Sequence, residues 1–123
     1  MDTLLVVDGA NVVGSVPDGW WREREAAAER LRDALAAEGG QSAVSGPAEV
    51  VLVVEGAARG LGSVPGVRVE SAAGSGDDLV ARLAAEAGAE GRACVVVTAD
   101  RGLRARVEAV GARCAGPRSV RRR

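Results

Sequence analysis

The chain contains, at residues 4–11, the run LLVVDGAN, in which four consecutive apolar residues lead into an acid, a glycine and an amide. An unbroken Leu/Val run that ends in a turn signal predicts a strand buried on both faces, as in the middle of a parallel sheet. Asp8 would lie where this strand ends. Ligands of open α/β sheets bind beyond the carboxyl ends of the strands, where strand order reverses. Asp8 is therefore the first candidate site residue.

Further segments predict an alternation of strands and helices. Strands are expected at residues 49–55 (EVVLVVE), 67–70, 93–98 (ACVVVT) and 112–114. Amphipathic patterns predict helices at residues 20–38, 77–87 and 100–110, with a loop at 12–19. Such alternation implies right-handed crossovers and a mostly parallel sheet covered on both faces. We expect a three-layer Rossmannoid α/β fold of about five strands in the order 3-2-1-4-5.

Length and composition exclude several classes of chemistry. A chain of 123 residues makes one domain, predicted over residues 1–115 and followed by a basic tail at 116–123. The formal net charge is -1, so no bulk basic field marks a dedicated nucleic-acid binder. Histidine is absent, which excludes Ser-His-Asp and Cys-His catalysis and histidine metal sites. Any chemistry must use carboxylates, amides, hydroxyls and arginines.

Other features bear on the compartment. Cys94 and Cys114 lack the close spacing of a zinc or redox motif and are expected to be buried, reduced thiols. Every basic residue is arginine, a bias typical of GC-rich codons and of a bacterial source. We see no signal peptide and no apolar span of membrane length, so the expectation is a cytoplasmic protein without a membrane.

Three acidic motifs fall at the same predicted edge of the sheet. They are Asp8-Gly9-Ala10-Asn11 after strand one, Gly76-Asp77-Asp78 at the second helix, and Thr98-Ala99-Asp100 after strand four. Carboxylates held together repel and raise one another's pKa, so folding alone gives no reason to gather them. A divalent cation gives one, because Mg²⁺ and Mn²⁺ prefer oxygen ligands. Such an ion also favours phosphodiester hydrolysis, by activating water and stabilising charge on the phosphate.

Each motif also has a purely structural interpretation. Asp100 could be only the N-cap of the helix that it precedes. Asp77 and Asp78 could stabilise a helix start, where Ser75 and Asp78 resemble a capping box. Asp8 and the following glycine could form a tight turn. Helix caps and turns do not require all three motifs to meet at one edge, and their coincidence favours a functional site.

Two further residues at the edge are open to both interpretations. Glu55 ends the second strand and could complete the acidic ring, or it could be a solvated strand end. Thr98 could offer its hydroxyl to a ligand, although threonine is also a good strand residue.

Four motifs in this order resemble the NYN branch of the PIN-like nucleases, in particular its YacP-like members. They are Val7-Asp8-Gly9-Ala10-Asn11, Val53-Val54-Glu55-Gly56, Gly76-Asp77-Asp78-Leu79-Val80 and Val97-Thr98-Ala99-Asp100-Arg101-Gly102-Leu103. The resemblance spans Leu4 to about Ala112. It departs from the family pattern at Glu55, where aspartate is more usual, and at Ala10, where a bulkier residue is usual.

The resemblance implies a PIN-like fold and an Mg²⁺- or Mn²⁺-dependent ribonuclease. It implies that Asp8, Asp77 and Asp100 are the main metal-binding carboxylates, with Asp78 as an adjunct. Asn11 would orient Asp8 or a water, and Thr98 and Glu55 would support the site. Our hypothesis is an endoribonuclease that acts on structured or single-stranded RNA and leaves a 5'-phosphate.

Arginines are candidate contacts for RNA. Arg101 follows strand four, and Arg22 and Arg24 lie near the first long helix, although each could be a solvated surface residue. The tail from Arg118 to Arg123 is expected to be disordered and to add salt-sensitive affinity.

Two rival functions stay open at this stage. One is an RNA- or protein-binding module with a degraded site, and the other is a small-molecule phosphohydrolase. An aspartyl-phosphate enzyme usually has D-x-D after strand one, and Ala10 occupies the place of the second acid. A homodimer and an unidentified protein partner are further options.

Overall fold

The computed structural model describes residues 2–14, 24–38 and 43–120. Five strands form the sheet: β1 (Thr3–Asp8), β2 (Ala48–Val54), β3 (Val67–Ser71), β4 (Cys94–Val97) and β5 (Arg113–Ala115). Four helices accompany them: α1 (Gly9–Gly14), α2 (Arg24–Glu38), α3 (Gly76–Ala89) and α4 (Arg101–Glu108). Short 3-10 turns cover Gly56–Ala58 and Pro117–Ser119.

All neighbouring strands of the sheet are parallel, and their order is β3-β2-β1-β4-β5. This order confirms the predicted topology and the central place of β1. The β1–β4 register pairs Leu4 with Cys94 and Val7 with Val97. The ends of these two strands therefore lie side by side, with Asp8 and Thr98 as the next residues along.

Alternation along the strands divides the core into two layers. Leu4 and Val6 of β1 pack with Val51 and Val53 of β2 on the side that carries α3 and α4. The residues between them face the opposite side, which α1 and α2 cover. Continuing the alternation places Asp8, Glu55 and Thr98 on the α3/α4 side. The period of two thus brings all three toward the amino ends of those helices.

The structure corrects the predicted loop after β1. Val12 to Gly14 belong to α1, which begins directly at Gly9. A Cβ atom at Gly9 would lie 2.6 Å from the backbone oxygen of Val53, so only glycine allows this close approach of α1 to β2. The remainder of the predicted loop, residues 15–19, lies outside the described residues, as does the predicted helical turn at 20–23.

The segment after β5 remains packed against the domain for at least five residues. Val120 is buried in the core layer beside α1 and α2. The disorder expected from Arg118 onward is therefore wrong for residues 118–120, because Val120 has apolar surface to bury. The domain boundary at residue 115 stays a prediction, and residues 121–123 lie outside the described residues.

Two smaller expectations concern the cysteines and the membrane. Cys94 is buried, Cys114 is half-buried, and both thiols are free, in neighbouring strands as predicted. Burial raises the pKa of the Cys94 thiol to about 11, which makes it unreactive.

No helix in the described ranges is long and apolar enough to cross a membrane.

Candidate functional site

Asp8 is the buried centre of the candidate site. Its side chain ends β1, and the residue is only 4% exposed. The Thr98 hydroxyl donates to Asp8 Oδ2 over 2.9 Å, and the backbone N–H of Asn11 also donates to this carboxylate. Burial of a carboxylate at the carboxyl edge of a sheet disfavours its charged form, and two donors only partly offset that cost.

The pKa of Asp8 reflects this environment. This pKa is raised from 3.8 to about 6, mainly because burial disfavours the charged form. The bonds from Thr98 and Asn11 oppose this rise, and the charges of Asp77 and Glu55 add to it. The two charges named in this balance are both negative. Asp8 is thus a carboxylate that the fold buries beside other acids, without an ion pair to an arginine of the described residues.

Asp77 lies in the first turn of α3 and interacts with the same group of acids. Partial burial raises its pKa, and the charges of Asp100 and Glu55 act in the same direction. Arg106 lowers the pKa of Asp77, and Asp78 raises it. We call Asp8, Glu55, Asp77 and Asp100 the acidic cluster, because these electrostatic couplings connect all four.

Glu55 belongs to the cluster and is not merely a solvated strand end. It follows β2, is half-buried, and its Oε2 accepts a hydrogen bond from the backbone N–H of Gly76. This contact fixes the amino end of α3 against the end of β2. The Glu55 carboxylate therefore supports the position of Asp77.

Asp100 is the N-cap of α4, as the structural interpretation of this residue predicted. Its Oδ1 accepts from the backbone N–H of Leu103 over 2.8 Å, and its own N–H donates to the Thr98 hydroxyl over 3.2 Å. The residue is exposed and its charge acts on Asp77. Capping leaves the second carboxylate oxygen for another ligand.

Asn11 positions the turn after β4. Its Oδ1 accepts from the backbone N–H of Ala99 over 2.8 Å. The expected contact between Asn11 and Asp8 is made by the Asn11 backbone instead of its side chain. Asn11 therefore links α1 to the turn that follows β4.

Asp78 forms an ion pair with Arg106 of α4. Its side chain is 76% exposed and its Oδ1 lies 3.1 Å from Arg106 Nη2. The N-cap bond of α3 runs from the Asp77 N–H to the Ser75 hydroxyl. The role of Asp78 as a metal ligand stays a prediction.

Of the three arginines predicted near the site, the structure describes the side chain of Arg101. Arg101 is exposed at the first position of α4. Arg22 and the side chain of Arg24 lie outside the described residues. Arg59 and Arg104 also lie at this edge of the sheet. No sequence motif marks them, because their contacts are tertiary.

The arrangement has the donor chemistry of a hard cation site without a closed cage. Within residues 2–14, 24–38 and 43–120, no three Asp, Glu or Cys side chains form a group that could hold one ion. Mg²⁺ is commonly bound by one or two carboxylates, several waters and a substrate phosphate. The carboxylates of the acidic cluster supply the oxygen donors that such a cation prefers. The described residues do not by themselves form a complete ligand set for it.

A cavity of about 190 Å³ lies on the side of the sheet that α1 and α2 cover, next to Glu55 of the acidic cluster. Gly9, Ala10 and Ala58 line it, and Glu55 lies at its boundary. Small side chains thus leave space directly next to the candidate site.

Comparison with known proteins identifies the fold. No protein-family model matches the chain, and no curated protein matches it either. Two crystal structures of Rae1 (YacP) from Bacillus subtilis, the first a point mutant, are similar to it with TM-scores of 0.73 and 0.71. The chain has the fold of Rae1 (YacP).

The similarity to Rae1 (YacP) extends over almost the whole chain. The two matches cover 98% and 97% of this chain and 72% and 71% of the Rae1 chains, at 22% and 25% identity. The sequence motifs resembled YacP-like proteins, and both similar structures are of a YacP protein. The expected PIN-like fold is thereby confirmed.

Proposed function

We propose that this protein is a divalent-metal-dependent endoribonuclease whose reaction takes place at the acidic cluster. The observation that carries the proposal is Asp8, a carboxylate that the fold buries beside other acids and that forms no ion pair with an arginine of the described residues. Keeping such a group costs folding free energy, and perturbed carboxylates of this kind concentrate at functional sites. The fold shared with Rae1 (YacP), together with the motifs, supports RNA as the substrate.

Asp8 and Asp77 are the residues that we expect to hold Mg²⁺ or Mn²⁺, with Asp100 contributing its uncapped oxygen. When bound, the ion would lower the pKa of a water and stabilise charge on the scissile phosphate. Thr98 and the Asn11 backbone hold Asp8 in one orientation through their hydrogen bonds. Glu55 holds the start of α3, and therefore Asp77, against the strand ends.

The surroundings of Asp8 and Asp77 set the pH at which these two carboxyl groups ionise. The raised pKa values of Asp8 and Asp77 mean that protons compete with a cation for these oxygens in mildly acidic solution. We therefore expect activity to rise with pH as the two carboxyl groups ionise.

The test is cleavage of end-labelled single-stranded RNA, hairpin RNA and DNA by the purified chain in EDTA, Mg²⁺ or Mn²⁺. The proposal predicts internal cuts in RNA that need the divalent ion and leave 5'-phosphates. RNA that is bound but not cut in any condition would contradict it and favour the binding module. Hydrolysis of only small phosphate esters would favour a phosphohydrolase. Dimerisation, a protein partner and a cytoplasmic location stay predictions from the sequence.

A further inference from the structure

Among the described residues, five arginines form ion pairs with carboxylates: Arg32, Arg68, Arg82, Arg92 and Arg106. The exposed Arg30, Arg101, Arg113 and Arg118 form none with a described carboxylate. No carboxylate in the described part of the chain pairs with Arg59 or Arg104. These two arginines lie at the carboxyl edge, where the acidic cluster is.

Arg104 is fixed in place by the strand end beside Asp8. Its Nε donates to the backbone oxygen of Thr98 over 3.0 Å, and the Thr98 hydroxyl donates to Asp8. The side chain is half-buried. A guanidinium has five N–H donors, and only one is used here within the described residues. The other four are available to an anion.

Arg59 lies beyond the carboxyl end of β2, the strand on the other side of β1 from β4. It follows the 3-10 turn after β2, and its Nη1 makes a long hydrogen bond of 3.4 Å to the oxygen of Ala73. Ala73 lies in the loop that leads into α3 and Asp77. In the strand order β3-β2-β1-β4-β5, Arg59 lies beyond the end of β2 and Arg104 contacts the end of β4. The two arginines thus belong to the strand ends on either side of β1, the strand that carries Asp8.

The acidic cluster creates a need for such cations. RNA phosphates approaching four carboxylates are repelled, and the net charge of -1 offers no general attraction. We propose that Arg59 and Arg104 bind the RNA phosphates on either side of the acidic cluster, an inference that rests on the proposed function. Arginine suits this role because its planar fork binds phosphate through two N–H groups. A side chain already held by a carbonyl also loses less conformational freedom on binding.

The experiment measures equilibrium binding of a labelled single-stranded oligouridine in EDTA, so that no cutting occurs, over a series of salt concentrations. The variants are Arg59→Gln, Arg104→Gln and Arg104→Lys. The matched control is Arg113→Gln, which removes an exposed arginine at the opposite edge of the sheet. Circular dichroism checks that each variant is folded.

Each lost phosphate contact should reduce the slope of log K against log salt by about 0.7. We expect this reduction in Arg59→Gln and in Arg104→Gln, with several-fold weaker binding at low salt, and no change in Arg113→Gln. Arg104→Lys keeps the charge and should keep the slope. Should Arg104→Gln fail to fold, an unchanged slope in Arg59→Gln alone overturns the inference.

The outcomes separate the inference from the proposed function. Normal binding by the unaltered chain with unchanged slopes in both glutamine variants would overturn the inference only. A chain that shows no binding to RNA would overturn the proposed function, and the inference with it.

Discussion

The Thr98 hydroxyl donates to Asp8 Oδ2 over 2.9 Å between two residues that are both buried. The parallel register of β1 and β4 sets this contact, because it pairs Val7 with Val97 one position earlier. The same hydroxyl accepts from the backbone N–H of Asp100. The Thr98 side chain thus connects Asp8 to the turn that carries Asp100.

Thr98→Val keeps the shape of the side chain and removes the hydroxyl. Without the donor, the pKa of Asp8 should rise above about 6, and the buried oxygen loses its partner at a cost of about 1–3 kcal/mol. Thr98→Ser keeps the hydroxyl and is the control. Urea unfolding at neutral pH and NMR titration of Asp8 provide the measurements. Equal stability and equal Asp8 pKa in the two variants would show that the hydrogen bond has no energetic role.

Asp8→Asn should stabilise the fold at neutral pH. Because the folded-state pKa of Asp8 is raised from 3.8 to about 6, the folded chain holds a proton that the unfolded chain releases between these values. Stability from this group is complete below the unfolded pKa and is lost as the pH rises through the folded pKa. The shift corresponds to a loss of about 3 kcal/mol.

The stability gain of Asp8→Asn should therefore shrink as the pH falls toward the unfolded pKa. Urea unfolding at neutral and at mildly acidic pH measures it. Asp33→Asn, at an exposed position of α2, is the control and should change little at either pH. A variant that is less stable than the unaltered chain at neutral pH would disprove this account of the Asp8 environment.

Gly9→Ala should destabilise the protein. The new Cβ would lie 2.6 Å from the backbone oxygen of Val53, so α1 and β2 must separate, at a cost of about 1–3 kcal/mol. Gly62→Ala is the control, since a Cβ there meets no atom within 4 Å. Thermal unfolding compares the two. If both variants melt at the same temperature, the close approach of α1 and β2 does not constrain this position.

Glu55→Gln should lower the pKa of both Asp8 and Asp77. Glu55 raises both values through its charge, and glutamine keeps an oxygen that can accept from Gly76. NMR titration of the two carboxyl groups measures the shifts. Glu86→Gln, exposed on α3, should leave them unchanged. Unchanged values in Glu55→Gln would remove Glu55 from the acidic cluster.

The sequence predicted the sheet because its three central strands, β1, β2 and β4, contain unbroken apolar runs, and the order followed from rules of chain connection. It could not predict α1, since Gly9, Ala10 and Asn11 also form a good turn. It placed Asp8, Asp77 and Asp100 at one edge, because parallel strands end together.

Contacts that depend on packing between helices were beyond the sequence. The ion pair of Asp78 with Arg106 depends on how closely α3 and α4 approach. The contacts of Arg59 and Arg104 are to backbone oxygens, which no motif encodes. Val120 had no visible partner in the sequence, although it completes a core layer.

The role of Asp8 in the reaction is tested by comparing RNA cleavage in Mn²⁺ by the unaltered chain, Asp8→Asn, Asp77→Asn and Asp33→Asn. We predict that Asp8→Asn, although folded, loses cleavage by about two orders of magnitude or more, as expected when a preorganised charged group of the site is removed. Asp77→Asn should lose activity as well, and Asp33→Asn should cut like the unaltered chain. Cleavage by Asp8→Asn at the unaltered rate would contradict the account, because the buried carboxylate would then have no part in the reaction.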